Sequence, residues 1–297
     1  MKVAATMRLV LAFLTVLAAG CAPVAITEPA QSPRKEKIYA VTASNKLVSF
    51  NAGTPGTVLA PRSLAGLDPG DTVVGIDYRV ARGVLYALSR NGRLYTVDTN
   101  AAALRPVGAD KLAVALEGNE FGFDFNPTVD RIRVVSDVGQ NFRIHPDTGM
   151  VVDANLNESG LQIDGKLAYD TTDVNAGRPV SIMAAAYTYN KLNDKITTNY
   201  AIDGRLGVLV TQGTKEGVSP AVSPNTGRLF TVGPLGITEG ERISFDISDV
   251  NNTAYAAITP KFAKQSRWYQ IDLASGRASY IGTIAAGEII RGIAIEP

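Results

Sequence analysis

Cysteine and histidine are nearly missing from this 297-residue chain, which has one of each, Cys21 and His145. A single cysteine cannot build a disulfide framework, and no thiol stands beyond position 21 to supply thiolate chemistry. A single histidine leaves zinc in the usual Cys/His setting without ligands. A Ser-His-Asp or Cys-His arrangement has only His145 to use, and His145 reads as a solvent-exposed turn residue before Pro146. Charge of one sign is lacking too, with Lys+Arg 29 against Asp+Glu 28. No basic run and no aromatic-plus-arginine stripe occurs, so neither nucleic acid nor a polyanionic partner is indicated. The glycines are scattered at turns rather than clustered between a strand and a helix, which leaves no phosphate cradle. No long amphipathic helix is expected anywhere.

What is present begins with an address. A weakly basic start (Lys2, Arg8) precedes an apolar run at residues 9–19. That run fits a signal-peptide core and is too short to span a bilayer. Ala18-Ala19-Gly20-Cys21 follows, in the pattern of a bacterial lipobox, with Leu17 one place earlier than usual. Residues 1–20 are therefore expected to be a lipoprotein signal peptide and Cys21 the lipidated N-terminus. Ala22 rather than an aspartate follows the cysteine, which by resemblance to enterobacterial lipoproteins implies sorting to the outer membrane. Residues 21–37 are rich in Pro, Ser, Gln and charge, and are expected to form a flexible, solvated tether.

The remainder, 38–297, carries a repeated phrase: Gly75-Ile-Asp-Tyr78, Gly122-Phe-Asp-Phe125 and Gly292-Ile-Ala-Ile295. The first two are followed by further short alternating strands separated by Gly, Asn, Asp and Pro. Asn91-Gly92 is a strong hairpin signal among them. The third copy stands at the end of the chain, and strands that would continue it lie at the other end, Ile38-Tyr-Ala-Val41 and Leu47-Val-Ser-Phe50. A linear array has no reason for this split, whereas a closed ring does. The expected fold is an all-β propeller of five four-stranded blades, closed by pairing of the N- and C-terminal strands. Six blades remain open if residues 157–179, read as an insertion, hide strands. Tyr39, Tyr86 and Tyr255 recur at one position and, with Trp268, read as core.

Two groups of residues could carry chemistry. Asp77, Asp124 and Asp246 share one position on the first strand of three units, while Ala186 and Ala294 fill it in the others. That strand is innermost in a propeller, so these acids approach the channel. Such acids could bind Ca²⁺ or act as an acid/base pair. Alternatively each accepts backbone amides of a neighbouring strand and keeps a blade-to-blade joint satisfied; repetition favours the joint. The second group is Asn126, Asp130, Arg131, Arg133, Asn141 and Arg143. Arg131 and Arg133 share a strand face and could hold a carboxylate, sulfate or phosphate, or pair with Asp130 or Asp124. Asp98, Asp147, Asp203 and Asp272 each end a strand and read as turn formers.

The stretch Phe121-Gly-Phe-Asp-Phe-Asn-Pro-Thr-Val-Asp-Arg-Ile-Arg-Val-Val-Ser136, with Gly139-Gln-Asn141, Arg143 and Pro146-Asp-Thr-Gly149, resembles the signature of the bacterial family called domain of unknown function 4394. Ala184-Ala-Ala-Tyr187 and Leu229-Phe-Thr-Val-Gly-Pro-Leu-Gly236 are similar to family patterns as well. His145 stands where relatives are expected to carry asparagine. The resemblance implies a secreted or envelope location and a propeller-like fold, and no activity. The expectation is a non-catalytic, monomeric envelope lipoprotein, anchored to the membrane, whose propeller presents a surface to a small molecule or an envelope protein. No catalytic residue, metal ligand or cofactor is assigned. The alternatives are a carboxylate-dependent hydrolase of a carbohydrate polymer and an assembly scaffold.

Overall fold

The computed structural model describes residues 27–237 and 240–297, so Cys21 and the expected signal peptide lie outside the described residues. Strands β1 (Lys37–Thr42), β2 (Lys46–Asn51) and β3 (Arg62–Ser63) start the chain, followed by β4 (Val73–Arg79), β5 (Val84–Ser89), β6 (Leu94–Asp98) and β7 (Ala103–Pro106). Next come β8 (Phe121–Asn126), β9 (Arg131–Ser136) and β10 (Asn141–Ile144), then β11 (Ala168–Tyr169), β12 (Ile182–Tyr187), β13 (Asn199–Asp203), β14 (Val208–Gln212) and β15 (Arg228–Pro234). The last are β16 (Gly240–Ile247), β17 (Ala254–Pro260), β18 (Arg267–Ile271), β19 (Ala278–Thr283) and β20 (Ile290–Ile295).

These strands form five sheets arranged as a five-bladed propeller. Blade one has the order β20-β1-β2-β3, with Ile38 opposite Ile295 and Ala40 opposite Ile293. The ring is thus closed by the two ends of the chain. Blades two (β4 to β7) and five (β16 to β19) are four-stranded meanders. Blade three departs from the expected four strands, since the segment after β10 makes only a single bridge, Val151 to Ile144. Blade four has five strands, because β11, from the supposed insertion, runs parallel to the outer edge of β15. No sixth blade arises there. The segment lends its strand to the next blade and covers an edge that would otherwise be bare.

Five apolar clusters hold the ring, each filling the gap between consecutive blades. Ile38, Phe50, Tyr255, Trp268 and Ile293 join blade five to blade one, with Tyr255 stacked on Trp268 at 5.2 Å. Val41, Tyr78 and Leu85 join one to two, and Leu88, Phe123 and Phe142 join two to three. Ile202, Phe245 and Tyr269 join four to five. The repeated tyrosines are buried, and their hydroxyls reach polar partners: Lys37 for Tyr39, Arg79 for Tyr86, Arg34 and Glu36 for Tyr255.

The described part of the expected tether lies against the molecule. Glu28 accepts hydrogen bonds from Tyr280 and Thr283, and Gln31 from the Gly56 amide. Arg34 donates to Gln270 while its amide pairs with Asn51. Residues 28–36 thus seal the joint between blades five and one. Proline and mixed charge do not exclude docking when charges such as Glu28, Arg34 and Glu36 find partners on the surface.

Removing residues 288–297 takes away β20 and the Glu288 carboxylate that accepts from Ser44 and Lys46. It leaves β1 with an unpaired edge. The truncated protein should aggregate or melt without cooperativity in circular dichroism. Cooperative melting near the wild-type temperature would refute the role of this closure.

Candidate functional site

The five innermost strands, β4, β8, β12, β16 and β20, touch one another in a closed cycle around the axis. At their second to fifth residues a ring of small side chains occurs: Gly75, Gly122, Ala184, Ser244 and Gly292. The contact is tight. A methyl added at Gly122 would come 2.6 Å from the Ala185 amide nitrogen, and one at Gly75 would come 2.5 Å from Phe123 Cβ. The axial cavity lined by this ring measures about 10 Å³, room for one water molecule and for no substrate.

Two residues further along come the acids, and they make the expected joints. Asp77 accepts from its neighbour Tyr78 and from the amide of Phe125 in the next blade, both at 2.7 Å. Asp124 accepts from Tyr187 of blade four at 2.9 Å. Asp246 accepts from Ile247 and from Ile295 of blade one, both at 2.6 Å. Each carboxylate therefore bolts one innermost strand to the next. Oxygens of all three lie within 4.8 Å of one another, and the residues are 5%, 3% and 5% exposed.

Such crowding in a dry place makes all three carboxyls weaker acids. Burial lifts all three above the ordinary 3.8, with Asp246 pushed up to about 7. The neighbouring carboxylates add to this, Asp246 acting on Asp77, and Asp77 and Asp246 on Asp124. Asp77 accepts amides on both oxygens, which favours its anion, while Asp124 accepts one, so Asp124 is the more readily protonated of the two. Burial and the negative field of these acids likewise raise the nearby Tyr189 phenol far above its usual value.

The second candidate group divides. Arg133 is 1% exposed and donates to Tyr187 Oη, Asn141 Oδ1, Asp164 Oδ2 and Asn225 Oδ1 at 2.6–3.1 Å. Arg143 completes the pairing with a two-pronged contact to Asp164 at 2.8 Å on each side. Asp164, and neither Asp130 nor Asp124, is the counter-ion of Arg133. Asp130 instead clamps Arg79 together with Asp147, which is thus an ion-pair partner as well as a turn residue. Arg131 stands apart, its guanidinium donating to the carbonyls of Val129 and Asp130. Asp98, Asp203 and Asp272 each cap a turn through backbone amides. His145 does the same, its Nδ1 accepting the Asp147 amide.

Asn126 leads to a feature that spacing did not indicate. On the face where the innermost strands end, a pocket of about 380 Å³ opens between blades three and four. Asn126 and Thr128 form one side; Ile196, Thr197, Val218 and Val222 form walls from the β12–β13 and β14–β15 loops. Its floor is Tyr187, Asn199 and Gln212, all buried. Gln212 Nε2 donates to Asn141 Oδ1 and to the Pro224 carbonyl, and Asn199 Nδ2 donates to Gln212 Oε1. A continuous polar chain thus runs from the Arg133–Asp164 pair to the pocket floor. It ends on Asn199 Oδ1, a buried acceptor with no partner among the described residues. Asp164 and Asn225 went unnoticed because they sit in irregular segments, where no periodicity marks a residue as buried.

Replacing Asp124 with asparagine copies its protonated form, keeping an acceptor for Tyr187 without the charge. The unfolded chain loses these protons near 3.8, whereas the native acids hold theirs to higher pH, to about 7 for Asp246. Their contribution is full at low pH and is lost as pH rises through their raised native values, which for Asp246 means through about 7. Asp124→Asn should therefore flatten the fall in melting temperature across that window and match or exceed the wild type at pH 8. Asp124→Ala, which leaves the Tyr187 amide unpaired, should lose about 1–3 kcal/mol by urea denaturation. Equal destabilisation by both substitutions at pH 8 would contradict a protonated Asp124.

No curated protein sequence matches the chain. In fold it is similar to a chain of the nidogen/laminin complex, at 9% identity and a TM-score of 0.46, covering 88% of this chain and 98% of that one. It is also similar to hydrazine synthase of Kuenenia stuttgartiensis, at 12% identity and a TM-score of 0.38, covering 74% of this chain and 53% of that one. Identities this low concern the fold alone. The signature strands, by contrast, lie within a match that runs over residues 46–294, and the chain belongs to the family described as Domain of unknown function (DUF4394).

Proposed function

We propose that this protein is a non-catalytic, lipid-anchored envelope protein that binds a small polar molecule in the pocket between blades three and four. The observation that carries the reading is the unpartnered Asn199 Oδ1 at the end of a rigid polar network. A buried acceptor without a donor is costly, and a ligand that supplies the donor recovers that cost. The pocket's volume falls in the range of about 300–1,000 Å³ usual for small-molecule sites, and its walls are apolar around a few fixed polar groups. The channel acids argue against the hydrolase alternative. Their oxygens are committed to backbone amides, and the acids are buried. The anchor rests on the lipobox at Cys21 and places the domain at the membrane surface, most simply the outer membrane.

Two experiments test the two halves of this proposal. Radiolabelled palmitate should label the wild type and spare Cys21→Ser; equal labelling would remove the anchor. For the pocket, Ala221 is an exposed lining residue that tolerates a larger side chain without disturbing the fold. A thermal-shift panel of sugars, sugar acids, amino acids and nucleosides should contain a compound that stabilises the wild type and leaves Ala221→Trp unaffected. A panel with no stabilising compound, or one that acts equally on both proteins, would overturn the binding role.

A further inference from the structure

The pocket's chemistry narrows the ligand class, an inference that rests on the binding role proposed above. Tyr187 and Asn199 are directly paired across β12 and β13. The Tyr187 hydroxyl accepts from Arg133 Nε, and no acceptor for its own proton occurs among the described residues. Beside it stands the unpartnered acceptor Asn199 Oδ1. The floor therefore offers one free donor and one free acceptor, side by side. An alcohol group matches this pair, since it accepts from the phenol and donates to the amide oxygen at once. A carboxylate there would face Asn199 Oδ1 as a second acceptor, and an ammonium would face the phenol's proton.

The walls and rim add two further conditions. Ile196, Val218 and Val222 give an apolar surface on the sides. At the rim stand Lys195, Lys215 and Glu216. Neither lysine is ion-paired among the described residues, and Lys215 lies over the Tyr200 ring at 5.7 Å. Glu216 is engaged with the Asn190 amide. A polar floor that wants a hydroxyl, apolar sides and a rim with an excess of positive charge suit a molecule with three matching parts. A sugar ring offers hydroxyls at its edge and C–H groups on its faces, and an acidic sugar adds the anion.

We propose that the pocket recognises a sugar acid of the uronic class, hydroxyl inward against Tyr187 and Asn199 and carboxylate outward toward Lys195 and Lys215. Isothermal titration with D-galacturonate, D-galactose and acetate tests each part. Galacturonate should bind at least tenfold more tightly than galactose, and acetate should not bind. The double substitution Lys195→Gln, Lys215→Gln should erase the preference for galacturonate while leaving galactose unchanged. Tyr187→Phe should weaken both sugars at least tenfold, with its melting temperature recorded to exclude unfolding. Equal affinity for the two sugars, or galacturonate binding untouched by Tyr187→Phe in a folded protein, would overturn the assignment. If galacturonate fails while another compound is blocked by Ala221→Trp, the sugar-acid class falls and the pocket stands. If no compound binds at all, both fall.

Discussion

The fold depends on how closely five innermost strands can approach one axis. Small residues at Gly75, Gly122, Ala184, Ser244 and Gly292 set that approach, since a side chain at Gly122 would meet the backbone of the adjacent strand. Once the strands are this close, the amides on their channel-side edges are out of reach of bulk water. A buried amide without a partner costs as much as a lost hydrogen bond, so the sequence must provide acceptors. Asp77, Asp124 and Asp246 do so two residues beyond the small ring, each reaching into the following blade. The phrase Gly-x-Asp is thus one device in two parts, the first allowing contact and the second satisfying what contact buries.

Placing the carboxylates together has an electrostatic consequence. Three carboxylates within 4.8 Å in a dry ring cannot all stay ionised side by side, and protonation relieves the crowding. Protonating Asp124 removes its repulsion toward Asp77 and Asp246 and still leaves a carboxyl oxygen to accept the Tyr187 amide. Blades four and one, with Ala186 and Ala294 in the same place, contribute no further charge. Five acids would have been harder to neutralise than three, which gives those alanines a physical reason.

How much of this is legible from the chain follows from what repeats. The propeller, its closure through residues 38–50 and 290–295, and the joint-forming acids all rest on a phrase that recurs, so register and role could be inferred from one copy to another. The Arg133 network does not repeat. Its counter-ion Asp164 and its partners Asn225 and Gln212 come from loops and from another blade, brought together only by tertiary packing. The strand β9 shows that Arg133 shares a face with Arg131, yet one lies buried in the joint and the other at the strand's first residue near the surface. Face alone cannot tell the two apart; depth along the strand decides. The docking of residues 28–36 was hidden for a related reason, since each polar contact is made with a residue remote in sequence.

The joint between blades three and four differs from the other four, and the difference locates the pocket. Its apolar cluster, built around Val135, Leu167, Tyr169 and Ile182, is the smallest of the five. The Arg133–Asp164–Arg143 ion triad occupies this seam, much as Arg79, Asp130 and Asp147 occupy the one between blades two and three, but here without an aromatic pair such as Tyr86–Phe125 beside it. Replacing a buried ion triad by apolar side chains is often neutral or stabilising, so stability alone gives this seam little reason to be polar. The proposed ligand site gives one, a rigid polar floor. The triad fixes Tyr187 and Asn141, Asn141 fixes Gln212, and Gln212 fixes Asn199, so the free donor and acceptor at the pocket floor are held in place before anything binds. Preorganisation of that kind reduces the ordering that binding must impose.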